Sequence, residues 1–128
     1  MSYSELLVTS LEMAADKMDD ITEQVYALYF KASPESRDLM GHMDMLMCGR
    51  MLNEVITLII MPDNDLEVTL KFEVKTHAAN GVDLNMYLLL FNALHSVIRT
   101  TVGDGWNPEI ESAWKERVDY LCGVINTP

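Results

Sequence analysis

The stretch "THAANGVDLNMY" at residues 76–87 ends one helix and begins the next, and it contains one of only three histidines in the chain. Gly81 can take the left-handed conformation with which many helices end. Asp83 can accept a hydrogen bond from the backbone of the turn that follows it, as residues at helix starts do. The sequence therefore predicts a helix from about 65 to 78, a tight turn, and a second helix from Asp83 to about Thr101.

Apolar residues recur at helical spacing on both sides of this stretch, and short runs of turn-forming residues interrupt them. The strongest boundary is "WNPEIESAW" at 106–114, where Asn107 is the expected N-cap and Pro108 takes the first helical position. Asp20 is a further expected N-cap. Residues 66–74, "LEVTLKFEV", alternate as a strand would, so their helix is the least regular. The predicted helices run from about 3 to 17, 20 to 32, 34 to 40, 44 to 60, 65 to 78 and 83 to 101, and from 108 onward.

Length and helical spacing together indicate one all-α domain over residues 1–128, because a chain of this length supports a single core. The chain has 9 Lys and Arg against 20 Asp and Glu, a net charge of −11, so we expect neither nucleic acid nor an anionic membrane as a partner. No apolar run approaches the ~20 residues of a membrane span, and we expect a cytoplasmic protein. Cys48 and Cys122 lack metal-ligand spacing, which favours reduced thiols.

His77 is the residue in this chain that most favours a specific chemistry. A lone histidine on an apolar helix is more often a packed or surface residue than a ligand. Tyr87, however, follows ten residues later at the start of the next helix and can fix the orientation of the imidazole. An oriented, neutral imidazole suits an axial ligand of iron.

Three motifs along the chain share their order and near spacing with a known family. They are "H-x-x-x-G-V" from His77 followed by Tyr87, "VYALYFKASPES" at 25–36, and "VGDGWNPEIESAW" at 102–114. In these motifs the sequence resembles the globin family, in particular the bacterial single-domain globins and the haem domain of flavohaemoglobins. The resemblance covers about residues 20 to 120. It implies a globin fold of six to seven helices around a haem pocket, with helix D absent.

The resemblance also implies roles for individual residues. His77 would be the proximal ligand of the iron of haem b, Tyr87 the partner hydrogen-bonded near it, and Val82 a further haem contact. Tyr26 would be the distal tyrosine, whose phenol can donate a hydrogen bond to a gas ligand in an apolar pocket. A core tyrosine with a backbone partner is the alternative for Tyr26.

The distal half departs from the family pattern and is rich in methionine. Met40 stands where the family carries a phenylalanine on the haem, and Met47 and Met51 stand at the distal positions. Arg50 aligns with a basic residue that reaches a haem propionate. These methionines are core packing in one interpretation, and in the other Met47 is a sixth iron ligand.

Two other histidines carry weaker expectations. His42 lies in the corner before the distal helix, where a surface position competes with a contact to a propionate or the iron. His95 has no second ligand at metal spacing and is assigned no chemistry. In flavohaemoglobins a glutamate of the last helix contacts the tyrosine that Tyr87 resembles, and the aligned position lies just past Pro128.

Three functions remain open from the sequence. The first is reversible binding of a diatomic gas, dioxygen or nitric oxide, at a haem iron. The second is nitric oxide dioxygenation or peroxidase-like turnover supported by a separate reductase. The third is a haem-free, globin-like regulatory module in which methionines fill the pocket. Apolar residues exceed one stripe in the helix after Asp83, so we also expect a homodimer through the last two helices.

Overall fold

The computed structural model describes residues 2–79 and 81–126, and every regular element in them is helical. This confirms the prediction of an all-α protein. Residues 41–44, between the third and fourth helices, form no helix. The helices are α1 (Tyr3–Lys17), α2 (Thr22–Ala32), α3 (Pro34–Met40), α4 (Met45–Ile60), α5 (Asp63–Ala78), α6 (Leu84–Val102) and α7 (Pro108–Ile125), with a 3₁₀ turn at Gly103–Gly105 between the last two.

Side-chain caps place most helix starts, because each one satisfies a backbone N–H that has no partner inside the helix. Asp83 accepts a hydrogen bond from the Met86 N–H and Asn107 accepts one from the Ile110 N–H, each at 2.9 Å. Both N-caps were predicted from the sequence, and both predictions are confirmed. Asp44 caps α4 in the same way.

The predicted N-cap at Asp20 is wrong by one position. α2 begins at Thr22, with Ile21 at the N-cap and no side-chain hydrogen bond from it. The Asp20 carboxylate instead accepts bonds from the Thr22 N–H at 2.9 Å and the Thr22 hydroxyl at 2.6 Å. Asp20 therefore lies outside the helix and accepts hydrogen bonds from its first residue, as in an Asx turn.

α5 is a regular helix although its sequence alternates like a strand. Leu66 and Leu70, one turn apart, are fully buried, whereas Val68 and Phe72 are 74% and 66% exposed. A strand would place all four on one face, and the helix divides them between the core and the surface. The helix begins at Asp63, two residues earlier than predicted, with acidic residues in its first turn. Asn80, in the predicted turn after α5, lies outside the described residues.

α6 is the central helix of the core and packs against α1, α2 and α7, while α5 packs against α7 and α2 against α4. Phe91 and Leu94 of α6 and Trp114 of α7 are completely buried. The Trp114 indole N–H donates to the Ser10 hydroxyl at 2.8 Å, which satisfies a polar group inside this core. None of the helices in residues 2–79 and 81–126 has the length and apolar character needed to cross a membrane.

Arg117 of α7 holds the corner between α4 and α5. Its side chain is almost wholly buried and donates to the carbonyls of Ile59 and Met61 at the end of α4. It also pairs with the Asp63 carboxylate at 2.6 Å, in the first turn of α5. The Arg117 guanidinium therefore donates hydrogen bonds to carbonyls at the end of α4 that have no partner inside that helix. It also forms an ion pair with the first turn of α5.

Candidate functional site

A cavity of about 690 Å³ lies among α2, α3, α4, α5 and α6, within the size range of small-molecule and cofactor sites. Most of its wall is apolar, and a few polar groups face it. The lining includes Tyr26, Tyr29, Met40, Met43, Met51, Glu54, Val55, Leu58, Glu73, His77, Val82, Met86, Tyr87, Leu90 and Phe91.

His77 lies in the last turn of α5, and its ring is fixed by its own helix. The ring atom Nδ1 is 2.7 Å from the backbone carbonyl oxygen of Glu73, one turn earlier. A carbonyl can only accept, so Nδ1 carries the proton and donates it. In the neutral ring the second nitrogen, Nε2, then keeps its lone pair, and this is the form of histidine that binds a metal.

Gly81 makes the turn that places α6 beside this histidine. Its φ of +89° lies in the left-handed region, as the sequence predicts. The Val82 N–H donates to the His77 carbonyl at 3.2 Å across this turn. The turn therefore brings both His77 and Val82 to the cavity wall.

Tyr87 lies edge-on to His77, with 6.4 Å between ring centroids and 88° between ring planes. Its hydroxyl is buried and has no hydrogen-bond partner among the described residues. Burial, with a smaller contribution from the Glu73 charge, raises the pKa of Tyr87 to about 12. The phenol is therefore protonated at neutral pH and remains a donor inside the cavity.

Tyr26 contributes a second buried hydroxyl, from the α2 wall of the cavity. The residue is 1% exposed, and within the described part of the chain its hydroxyl also lacks a partner. Burial raises the pKa of Tyr26 well above its ordinary value. Tyr29 and Phe30 pack around its ring, at centroid distances of 6.0 and 5.4 Å, and hold it in place.

The structure brings Met40, Met51 and Val82 to the cavity, but it does not bring Met47 or Arg50 there. Met47 is 43% exposed and Arg50 is exposed on the outer side of α4. Met47 and Arg50, which the sequence predicts to contact a bound group, therefore lie away from the cavity wall.

The register of α4 explains why Met47 and Arg50 lie away from the cavity. Gly49 lies against Thr22, where an added Cβ would be 3.5 Å from the threonine hydroxyl. The first turns of α4 thus meet the beginning of α2, and the helix reaches the cavity only further along. Met51 and Val55, one turn apart, take the positions that Met47 and Met51 were predicted to hold.

The other two histidines lie in different settings. His42 is exposed and lies at the rim of the cavity. His95 lies outside it, stacked on Trp114 with ring centroids 5.5 Å apart and 3.0 Å from the Glu111 carboxylate. Burial lowers the pKa of His95 although Glu111 opposes the shift.

Sequence reasoning missed Glu73, Glu54 and Tyr29, all of which line the cavity. Glu73 precedes His77 by four residues, so helical spacing alone places the two side chains on the same face. Tyr29 follows Tyr26 by three residues and shares its face for the same reason. Glu54 has no comparable signal, because its neighbours on α4 are apolar on several faces.

No protein-family model matches this chain.

Proposed function

We propose that this chain is a globin that binds haem b in the cavity and reversibly binds a diatomic gas, dioxygen or nitric oxide. The observation that carries the proposal is the fixed tautomer of His77 at the wall of an apolar cavity of cofactor size. An imidazole with a free Nε2 in such a cavity suits an axial ligand of haem iron. Haem would supply the iron and its open position for the gas.

The two buried phenols, on the α2 and α6 walls of the cavity, support the proposal. The hydroxyls of Tyr26 and Tyr87 lack partners among the described residues, and both tyrosines line the cavity. A buried hydroxyl without a partner is unfavourable, so a polar ligand in the cavity would stabilise it. Tyr26 would donate to the bound gas, and this bond is strengthened by the low polarity around it. Tyr87 would help to orient His77.

Other lining residues would hold the flat body of the group. Met40, Met51 and Val82 offer apolar surface on several walls. His42, exposed at the rim, is positioned to meet the carboxylates of a haem at the cavity mouth. It replaces Arg50 as the expected contact for those groups.

The cavity itself argues against the haem-free regulatory module. That alternative requires the methionines to fill the pocket. Met40, Met43 and Met51 do face it, yet about 690 Å³ remains among the five helices.

Turnover as a nitric oxide dioxygenase or peroxidase is the second candidate. The Glu73 carboxylate beside His77 favours it, because a carboxylate near the ligand increases the basicity of the imidazole. Electrons would come from a separate reductase.

The expected homodimer would involve Leu84 and Leu88, which are 43% and 37% exposed on α6 next to the end of α7.

The absorption spectrum of the purified protein, incubated with hemin and then reduced with dithionite, tests the proposal. We expect an intense Soret band in the wild type and its loss or shift in His77→Ala, because the variant lacks the axial nitrogen. His95→Ala, which changes a histidine outside the cavity, is the matched control and should keep the wild-type band. A wild-type protein that stays colourless with hemin would disprove both haem functions.

A further inference from the structure

Glu73 approaches the same nitrogen of His77 with two different groups. Its backbone carbonyl oxygen lies 2.7 Å from Nδ1, and its carboxylate atom Oε2 lies 3.6 Å from Nδ1. The carbonyl accepts the Nδ1 proton and fixes the ring. The carboxylate adds a negative charge beside that N–H without taking over the hydrogen bond.

This charge lies in a partly protected place. The Glu73 and His77 side chains are 34% and 33% exposed, and Glu73 belongs to the cavity wall. Screening by water is therefore weaker here than at the open surface. The charge also affects Tyr87, which lies edge-on to the histidine and whose pKa it helps to raise.

A negative charge beside the protonated nitrogen makes the opposite nitrogen a stronger electron donor. Stronger donation from an axial ligand favours the ferric over the ferrous state of the iron it binds. We propose that Glu73 is a positioning residue that increases electron donation by His77 and so lowers the reduction potential of iron bound there. This inference rests on the proposed function.

The two groups of Glu73 can be separated by one substitution. Glu73→Gln removes the charge, while it keeps the backbone carbonyl, the length of the side chain and the helix. The orientation of His77 should therefore survive, and only its electron donation should change. Glu54→Gln is the matched control, since it removes an equal charge from the α4 wall of the same cavity.

The experiment measures the ferric/ferrous midpoint potential and the iron–histidine stretching frequency, by resonance Raman, in haem-loaded protein. In Glu73→Gln we expect a higher potential, by about 59 mV for a tenfold change in a one-electron equilibrium. We also expect a lower stretching frequency. In Glu54→Gln the stretching frequency should equal that of the wild type.

Each contrary result has a distinct meaning. If haem binds through His77 but Glu73→Gln leaves the stretching frequency unchanged, the role of Glu73 is disproved and the haem function stands. Equal changes of both quantities in the two variants would also overturn it, because they would indicate a general charge effect. A wild type that takes up no haem would instead disprove the proposed function itself.

Discussion

Tyr26 and Tyr29 lie one turn apart on α2 and both line the cavity, but their hydroxyls differ in what they contact. The Tyr29 hydroxyl interacts with the Ser36 side chain of α3, and this interaction opposes the effect of burial on the pKa of Tyr29. The Tyr26 hydroxyl has no hydrogen-bond partner within residues 2–79 and 81–126. The pair therefore separates a hydroxyl that interacts with a neighbouring helix from one that is buried without a partner in the described residues.

We expect Tyr26→Phe to leave the free energy of unfolding of the haem-free protein unchanged, or to raise it by about 1 kcal/mol, since no bond is lost. Tyr29→Phe should lower it by about 1 kcal/mol. Urea denaturation of both variants measures these changes.

In haem-loaded protein, Tyr26→Phe should release dioxygen faster, by about tenfold for a bond of ~1.4 kcal/mol. Equal destabilisation by the two substitutions would show that Tyr26 has a partner in the fold.

His95 provides a pH dependence that is separate from the cavity. Burial holds its pKa in the folded protein below the ordinary 6.5, against the opposing effect of Glu111. The folded protein thus binds fewer protons than the unfolded chain in the window below pH 6.5. This contribution to stability is complete above that pH and decreases as the pH falls towards the folded pKa.

Urea midpoints measured between about pH 7.5 and pH 5 check this expectation, a range that brackets the ordinary pKa of histidine. The midpoint of the wild type should fall as the pH falls, and the slope should be smaller in His95→Gln. The other ionisable side chains are the same in both proteins, so the difference between the two slopes reports on His95. Identical slopes would mean that His95 has the same pKa in the folded and unfolded states.

At the scale of elements, the joint between α5 and α6 depends on the conformation of one glycine. An alanine at Gly81 has room, since its Cβ would lie 3.6 Å from Leu39 Cδ1, an ordinary contact. Its φ of +89° is nevertheless unfavourable for a residue with a side chain. Gly81→Ala should therefore lower the free energy of unfolding by about 1–2 kcal/mol.

Gly123→Ala is the matched control for this prediction. Gly123 lies inside α7, and an added Cβ there would meet nothing within 4 Å. Alanine is the better helix former, so this change should stabilise the protein by roughly 0.5–1 kcal/mol. Thermal unfolding followed by circular dichroism compares the two. A stabilising effect of Gly81→Ala would contradict the backbone conformation of the turn.

Helix boundaries were predictable from the sequence where a local chemical signal marks them. The starts of α6 and α7 are predicted by Asp83, and by Asn107 with Pro108. The structure agrees with these predictions. α5 was less clear, because alternation over 66–74 fits a strand as well as a helix. The packing of α5 against α7 favours the helix over the strand. No local sequence pattern predicts that contact.

The cavity residues were only partly predictable, for a related reason. The sequence "MLMCGRML" at 45–52 is apolar on several faces, so it identifies no single stripe of α4 as the inner one. The contact of Gly49 with Thr22 selects the inner face, and it depends on how two distant helices cross. Glu73 is the opposite case, because its spacing from His77 predicts the contact that the structure contains.

At the scale of the whole molecule, the cavity and its support are built from different helices. The cavity is lined by residues of α2 to α6, whereas the helices α1 and α7 pack behind α6 and complete the core. The chain carries a net charge of −11. A basic surface on a partner such as a reductase would be attracted to it, and more strongly at low ionic strength.

Arg117 has a consequence for the order in which the protein is made. The corner between α4 and α5 leaves the ribosome well before α7, which carries the guanidinium that binds its carbonyls. Until then those carbonyls have only water as a partner, and the side chains of Leu66 and Leu70 have no α7 to pack against. We therefore expect the helix that bears His77 to dock late, after α7 has been synthesised. A nascent chain stopped before Arg117 would hold its first helices without the α5 wall of the cavity in place.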